Sequence, residues 1–286
     1  MTDENHKLPA GLYLVATPIG NARDITLRAL DILGDCDVIA AEDTRTARKL
    51  MDIHGIKAGS RQIIAYHDHS GAAGRSGILK LIKAGKSVAY VSEAGTPLVA
   101  DPGYALARDV AKAGYLVTAA PGASAVLAGL SLSGLPSDRF LFAGFAPSGK
   151  SARQTWLKEL LGLPTTLVIY ESPKRIHSLL SDLCDLAAET REAAIARELT
   201  KHFEEVMRGT LAQLQEELSG RALKGEIVVI LDRGREEVGQ DTMETALRRA
   251  MDDMSLKDAV QAVSEAYDLP RRKVYQSALE LDKDGD

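Results

Sequence analysis

The sequence predicts two α/β domains, the first built on a mostly parallel sheet and the second on a mixed one, followed by a small helical helix-turn-helix-like piece. Three observations carry this. Short apolar runs alternate with helix-period segments through about residue 131, the pattern of repeated β-α units. Beyond that, Ala193–Arg197 and Glu204–Arg208 are strand-like runs too close together for a helical crossover, so they should pair antiparallel. After the charged, glycine-bearing stretch Gly234–Asp241 the pattern is helical only. The expected division is an N-terminal domain over 1–125, a mixed domain over 126–233, a linker over 234–242 and a tail over 243–286. The break between the two domains falls in 125–138, with Gly134-Leu135-Pro136 as its centre.

Taken in order, Leu12–Ala16 is the first strand and ends in the Pro/Gly loop Thr17-Pro18-Ile19-Gly20-Asn21. Asp24 is the expected cap of a helix striped by Ile25, Leu27, Leu30 and Leu33. Asp37–Ala41 is the second strand, with Glu42-Asp43-Thr44-Arg45 at its carboxyl end and Asp43 as a cap. Gln62–Tyr66 is the third, followed by His67-Asp68-His69-Ser70. Helix Gly77–Ala84 leads into Val88–Val91, a short apolar run of the kind buried on both faces. That run stops at Ser92-Glu93-Ala94-Gly95-Thr96-Pro97, a stiff Gly/Pro loop, and Asp101-Pro102 should cap the helix Tyr104–Lys112. Tyr115–Ala120 is the fifth strand, closing in Pro121-Gly122-Ala123-Ser124. Rigid small-residue loops at the carboxyl ends of buried parallel strands are where open α/β sheets bind ligands.

In the second half, Phe140–Phe145 is a strand and Pro147–Ser151 a basic loop. Trp156–Leu161 lies in a helix, and Thr165–Tyr170 is a β-branched strand ending in Glu171-Ser172-Pro173, with Ser172 as the next cap. Ile176, Leu179, Leu180 and Leu183 keep a helical period. Helix Leu211–Leu218 and strand Glu226–Leu231 complete the unit. In the tail, Ala259, Val260 and Val263 mark one helix, Asp268-Leu269-Pro270 a turn, and Arg271-Arg272-Lys273 the basic start of a second helix. That is a helix-turn-helix outline, though a helical pair covering a domain edge has the same pattern.

Composition bounds the function. Over 286 residues, 45% hydrophobic and 26% charged content is ordinary for a globular protein, and a net charge of −5 argues against a surface that grips nucleic acid everywhere. A local basic patch stays open. Cys36 and Cys184 form no metal or disulfide pattern, which suits a reducing, cytoplasmic setting. No apolar run approaches the roughly 20 residues a membrane span needs, and the polar start MTDENHK is not expected to be a signal peptide. Phosphate-loop, dinucleotide, nucleophile-elbow and His-Glu-x-x-His motifs are all missing. The His67/His69 pair, with Asp68 between them, could hold a metal, but no further ligand stands out, and no metal is expected.

Several blocks carry a family resemblance. Thr17-Pro18-Ile19-Gly20-Asn21 with Asp24–Ala29, Gly95-Thr96-Pro97, Pro121-Gly122-Ala123-Ser124 and Tyr170-Glu171-Ser172 resemble the motifs of the tetrapyrrole methylase superfamily. Ala41–Arg45, Ser92–Leu98, Asp101-Pro102-Gly103, Gly134–Phe140, Ala196–Lys201 and Lys224-Gly225-Glu226 resemble one branch, the ribosomal RNA small subunit methyltransferase I family. The match runs from about residue 11 to 232, and the tail is similar to that family's C-terminal piece. Glu93 departs from the Asp of that branch, keeping the charge on a longer arm.

The resemblance implies an S-adenosyl-L-methionine-dependent methyltransferase that modifies the ribose 2′-oxygen of a cytidine in the decoding region of small-subunit ribosomal RNA. It implies a cofactor cleft at Pro18, Gly95, Thr96, Pro97, Val99, Ser124, Ala125, Tyr170, Glu171 and Gly225. Candidates for the acceptor side are Lys201, Glu198, Asp43 and Asp101, with Glu42 beside them, and Lys201 and Glu198 are expected to act as a pair. RNA contacts are expected from Arg45, from Lys150 and Arg153 in the basic loop, and from Arg271, Arg272 and Lys273. The partner implied is the assembled 30S subunit, with a homodimer as the working form and no membrane. Two other readings stay open: a same-fold methyltransferase acting on a tetrapyrrole or a protein side chain, and a cofactor-sensing regulator that catalyses nothing.

Overall fold

The computed structural model, which describes residues 7–67, 70–234, 240–267 and 269–283, puts the most continuous apolar strands in the middle of two five-stranded sheets. The first sheet holds β1 (Gly11–Val15), β2 (Val38–Ala41), β3 (Gln62–Ala65), β4 (Ser87–Val91) and β5 (Leu116–Ala120), in the order β3-β2-β4-β1-β5. Every pairing is parallel. Helices α1 (Leu27–Asp35), α2 (Thr44–Ile53), α3 (Gly71–Lys83) and α4 (Tyr104–Lys112) make the crossovers, and α5 (Ala125–Ser133) leaves the sheet after β5. All of β4 is buried, whereas the edge strand β3 is half-open. A central parallel strand is covered on both faces, which is why Val88–Val91 reads as an unbroken apolar run.

The second sheet holds β6 (Phe140–Phe145), β7 (Thr166–Glu171), β8 (Glu192–Arg197), β9 (Glu205–Thr210) and β10 (Ile227–Leu231), in the order β6-β7-β10-β8-β9. Helices α6 (Lys150–Leu161), α7 (Ile176–Leu186) and α8 (Leu211–Leu218) pack on it. β6 and β7 are parallel, while β10 is antiparallel to β7 and β8, and β8 to β9. The sheet is mixed as expected, and its all-buried central strand is β10, Ile-Val-Val-Ile-Leu. Helix α5 joins the two sheets. Its Val126 and Leu130 are buried with Ile19 of the first sheet's loop and Val168, Ala194, Val228 and Ile230 of the second sheet. Both sheets belong to one compact unit, Met1–Leu161 with Thr165–Asp232.

The other unit is Gly162–Pro164 with Arg233–Asp286. It contains α9 (Gln240–Asp253), α10 (Leu256–Tyr267) and α11 (Arg271–Lys283). Met243, Leu247, Val260, Val263, Val274, Ala278 and Leu281 form its core. The expected pair of helices is three, because the start of the tail, read only as helical in pattern, forms α9, which also takes in the last residues of the expected linker. Residues 235–239 and Asp268 lie outside the described residues. Among the described residues no helix is long and apolar enough to cross a membrane.

Caps and helix starts differ from expectation at five helices. Asn21, accepting from the Arg23 N–H at 3.1 Å, caps a single 3-10 turn, and Thr26 caps α1 by accepting from the Ala29 N–H at 3.2 Å. Asp24 falls inside that turn and caps nothing. Helix α4 starts after Gly103 at φ 118°, not at Asp101-Pro102, because the Tyr90 hydroxyl holds the Pro102 carbonyl at 2.9 Å in the loop upstream. Helix α7 starts at Ile176, since the Ser172 carbonyl accepts from Arg175 and Ile176 N–H groups and closes a separate turn first. Finally, α3 begins at Gly71 and α6 at Lys150, so both preceding loops are shorter than predicted.

Candidate active site

The strand order makes a crevice between β1 and β4. The chain leaves β1 toward β2 and β4 toward β5 in opposite directions, and α1 and α4 belong to the cores on opposite faces of the sheet, so the two loops part there, the switch point where parallel sheets take ligands. The two loops are stitched together across it. Thr17 N–H donates to the Gly95 carbonyl at 2.9 Å and Gly95 N–H returns to Thr17 at 3.0 Å. Gly95 has φ 80°, a conformation that favours glycine. The Thr96 hydroxyl donates to the Ala123 carbonyl at 2.9 Å, tying in the loop after β5.

The second sheet supplies the opposite wall through its register. Because β10 runs antiparallel to both neighbours, Ile227 at its start pairs with Glu171 at the end of β7 and Arg197 at the end of β8. Glu171-Ser172, Glu198–Lys201 and Lys224-Gly225-Glu226 therefore meet on one edge. The result is a cleft of about 540 Å³. It is walled by Pro18, Gly95, Thr96, Val99, Ser124, Ala125, Tyr170, Glu171 and Gly225, nearly the whole predicted cofactor set. Pro97 is the exception: it is buried and forms no part of the wall.

The charged wall residues are Glu42, Glu93, Asp101, Glu171, Glu226 and Lys201, a strongly acidic set. Glu171 is buried, with Oε1 accepting from the Ser172 N–H at 2.7 Å and from Arg175 at 2.6 Å. Its Oε2 is buried and has no partner. Ser124 is the N-cap residue of α5, yet its hydroxyl makes no capping bond. Burial pushes the Tyr170 phenol up to about 12, opposed by a hydrogen bond from the Val126 backbone and reinforced by the charges of Asp101 and Glu226.

Lys201 sits between two glutamates, Glu198 and Glu226. Its Nζ donates to Glu198 Oε1 at 2.9 Å and Glu226 Oε2 at 3.0 Å. Burial pulls the ammonium's pKa down, but hydrogen bonds to Glu198 and Glu226 outweigh it and the net shift is upward. Glu198 is shifted downward, first by the hydrogen bond from Lys201. Lys201 is thus held as an ammonium. Glu198 stands behind Lys201 and is not itself on the cleft wall. Asp43 is also corrected as an acceptor-site candidate. Its carboxylate accepts from the Arg45 side chain at 2.7 Å and from the Arg45 N–H at 2.7 Å, which hold it at about 2. It is the cap of α2, and a poor base.

Of the RNA candidates, Arg45 and Lys150 are exposed. Arg153 is not: it is buried and ion-paired with buried Asp182 at 2.6 Å. The helix that begins at Lys150 turns it inward, so the RNA role expected for it is corrected. Arg271, Arg272 and Lys273 are exposed at the start of α11, where Lys257 and the half-open Tyr275 ring join Arg271 and Arg272 around one open depression. Sequence reasoning missed Lys257 and Tyr275, which lie in different helices. It also missed Phe145, whose ring stands 5.5 Å from that of Tyr170, and Glu226. The signal for Glu226 was present in the Lys224-Gly225-Glu226 block. Asp68 and His69 lie outside the described residues. Among the described residues no group of three or more His, Cys, Asp or Glu side chains is placed to hold a metal ion.

Comparison with known proteins places these features in a family. Residues 11–215 match the Tetrapyrrole (Corrin/Porphyrin) Methylases, and residues 237–282 match the RsmI C-terminal HTH domain. The chain is 43% identical over 278 residues to a ribosomal RNA small subunit methyltransferase I of Mesorhizobium japonicum, covering 96% of this chain and 93% of that protein. It is 41% identical over 288 residues to the protein of that name from Vibrio cholerae, covering 98% and 99%. In fold it resembles a uroporphyrin-III C-methyl transferase from Thermus thermophilus complexed with S-adenyl homocysteine, with a TM-score of 0.53 at 19% identity, over 78% of this chain and 97% of that one. With its methylase unit, its C-terminal helices and its near full-length relatives, the chain belongs to the ribosomal RNA small subunit methyltransferase I family.

Proposed function

We propose that this methyltransferase takes a methyl group from S-adenosyl-L-methionine and places it on the ribose 2′-oxygen of a cytidine in the decoding region of small-subunit ribosomal RNA. The substrate in this reading is the assembled 30S subunit, the working form is a homodimer and the setting is the cytoplasm. One observation carries it: a single acidic cleft brings an unpartnered buried carboxylate, Glu171 Oε2, together with the charged Lys201 cluster. A buried acceptor without a donor is costly, so Glu171 fits a ligand that brings one, such as an ammonium or a ribose hydroxyl. The acidic wall suits a ligand of positive charge, and the small residues Gly95, Ser124, Ala125 and Gly225 let it approach the backbone.

The cofactor supplies an activated methyl on a positively charged sulfur. The protein's part is to hold the acceptor oxygen in line with it, exclude water and receive the proton. Pro18, Gly95, Thr96, Val99, Ser124, Ala125, Tyr170, Glu171 and Gly225 would hold the cofactor. Asp101, Lys201 and Glu226 would face the acceptor, with Glu198 paired to Lys201 from behind. Exposed Arg45, Lys150, Arg271, Arg272 and Lys273 would meet phosphates.

The direct test is nuclease mapping of 2′-O-methylation in small-subunit ribosomal RNA from cells with and without the gene. Loss of one ribose methylation in the decoding region is expected, and an unchanged map would overturn the reading. For the cofactor, Thr96→Arg fills the cleft and should abolish S-adenosyl-L-methionine binding by calorimetry, while a chelator leaves wild-type binding intact. Normal binding by the variant would remove the cleft from consideration.

A further inference from the structure

We propose that Glu226 is the carboxylate that takes the proton from the acceptor hydroxyl, with Lys201 held beside it as an ammonium that stabilises the developing charge. This rests on the reading that the acceptor is a ribose 2′-oxygen. Lys201 Nζ is shared between two carboxylates, 2.9 Å from Glu198 and 3.0 Å from Glu226, but these are not equivalent. The Glu198 side chain is only 18% exposed, and its Oε1 accepts from both Lys201 Nζ and the Glu226 N–H at 3.2 Å. Its backbone sits at φ 50°, and Gly225 packs its Cα against that carboxylate so closely that no side chain would fit. Glu198 is locked. Glu226 has a side chain 76% exposed and stands on the cleft wall next to Gly225. It is the carboxylate of the pair with room for a substrate.

The charges that face Glu226 favour this division. From the β8 loop come Lys201 and, behind it, Glu198; the Arg197 guanidinium bonds the Lys224 carbonyl at 3.1 Å. From β7 come the Tyr170 phenol and Glu171, and across the cleft stand Asp101, Glu93 and Glu42. Lys201 cannot accept a proton while it is charged, and its Nζ stands 3.0 Å from Glu226 Oε2. In the step proposed, the ribose oxygen forms its bond to the methyl carbon as the carbon–sulfur bond breaks. The sulfur keeps that electron pair and becomes a neutral thioether. The hydroxyl proton passes to Glu226, which returns it to water after product leaves.

The test is Glu226→Gln in the full-length protein on intact 30S subunits. Turnover should fall by about 10²-fold or more, the scale of general-base work, with S-adenosyl-L-methionine affinity within twofold of wild type. The wild-type pH–rate profile should show an acid limb, because a protonated carboxyl group cannot accept. That acid limb should vanish in Glu226→Gln and persist, shifted, in Glu226→Asp. Independently of activity, NMR titration of the Lys201 ammonium should move down in Glu226→Gln, since one of its carboxylates is gone. Wild-type turnover by Glu226→Gln, or a slow variant that keeps the acid limb, would overturn the assignment. If the wild-type methyl maps to something other than a ribose oxygen, the underlying reading fails and the assignment fails with it. If it maps to ribose and Glu226→Gln is normal, only the assignment fails.

Discussion

Glu198 and Thr200, at φ 50° and 64°, and Leu98 and Ala100, at 71° and 60°, are the non-glycine residues with left-handed backbone among those described. Each such residue costs of order 1 kcal/mol or more, and all four lie in the loops that form the cleft. Side-chain and backbone bonds hold the strain in place: Thr200 Oγ1 accepts from the Asn21 N–H at 3.1 Å, and Glu198 N–H donates to the Glu226 carbonyl at 3.0 Å. Gly225 completes the arrangement, with φ 86° and the Glu198 carboxylate where a Cβ would be. Gly225→Ala should therefore both destabilise the protein, by about 1–3 kcal/mol, and dislodge the Glu198–Lys201 pair. Urea unfolding and calorimetric cofactor binding would report the two effects. A variant with wild-type stability and affinity would show that the loop adapts freely. At this scale the sequence was legible where a motif block named the residue, as for Lys201 and Gly225. It was silent on state. The letters offered Asp43 as a helix cap, but nothing in them says that the Arg45 side chain also holds its carboxylate, or that Lys201 meets two carboxylates from loops far apart in the chain.

Elements were most legible at the sheet centres and least so at helix starts. Val88–Val91 and Ile227–Leu231 are apolar throughout because both faces are covered, and that pattern survives in one dimension. Helix starts depend on which of several nearby polar groups wins a backbone N–H, as where Thr26 displaced Asp24. Arg153 is the instructive failure. On α6 it faces α7, where its Nε and Nη2 meet Asp182 Oδ2 at 2.7 and 2.6 Å while Gln154 donates to Oδ1 at 2.9 Å. Arg153 Nη1 also donates to the Ser148 carbonyl at 3.2 Å, pinning the loop before α6. Removing one partner of a buried pair strands the other charge, so Arg153→Ala should cost about 3–5 kcal/mol in urea unfolding. Pairing it with Asp182→Ala should recover part of that loss. A single variant within 0.5 kcal/mol of wild type would mean the pair is hydrated and the helix contact is carried by its apolar neighbours.

On the scale of the molecule, charge is the property to explain, because a protein of net charge −5 is proposed to work on RNA. The methylase cleft is acidic, which suits a cationic ligand but repels phosphate, so grip has to come from elsewhere. In the helical unit, exposed Lys257 on α10 and Arg271, Arg272 and Lys273 at the start of α11 supply that charge, with the half-open Tyr275 ring one turn further along. The sequence showed the run of three; Lys257 and Tyr275 joined it only once α10 and α11 were packed. Replacing Lys257, Arg271, Arg272 and Lys273 together by Ala should weaken binding to a decoding-region RNA and flatten its dependence on salt. Each lost phosphate contact lowers the steepness of log K against log salt by about 0.7 on a single strand and about 0.9 on a duplex, so loss of four contacts should lower it by roughly three to three and a half units. Cofactor affinity should be untouched, because none of the four lines the cleft. A variant that binds RNA with the wild-type slope would reduce the helical unit to a structural role, and the exposed Arg45 and Lys150 would then be the cations to remove next.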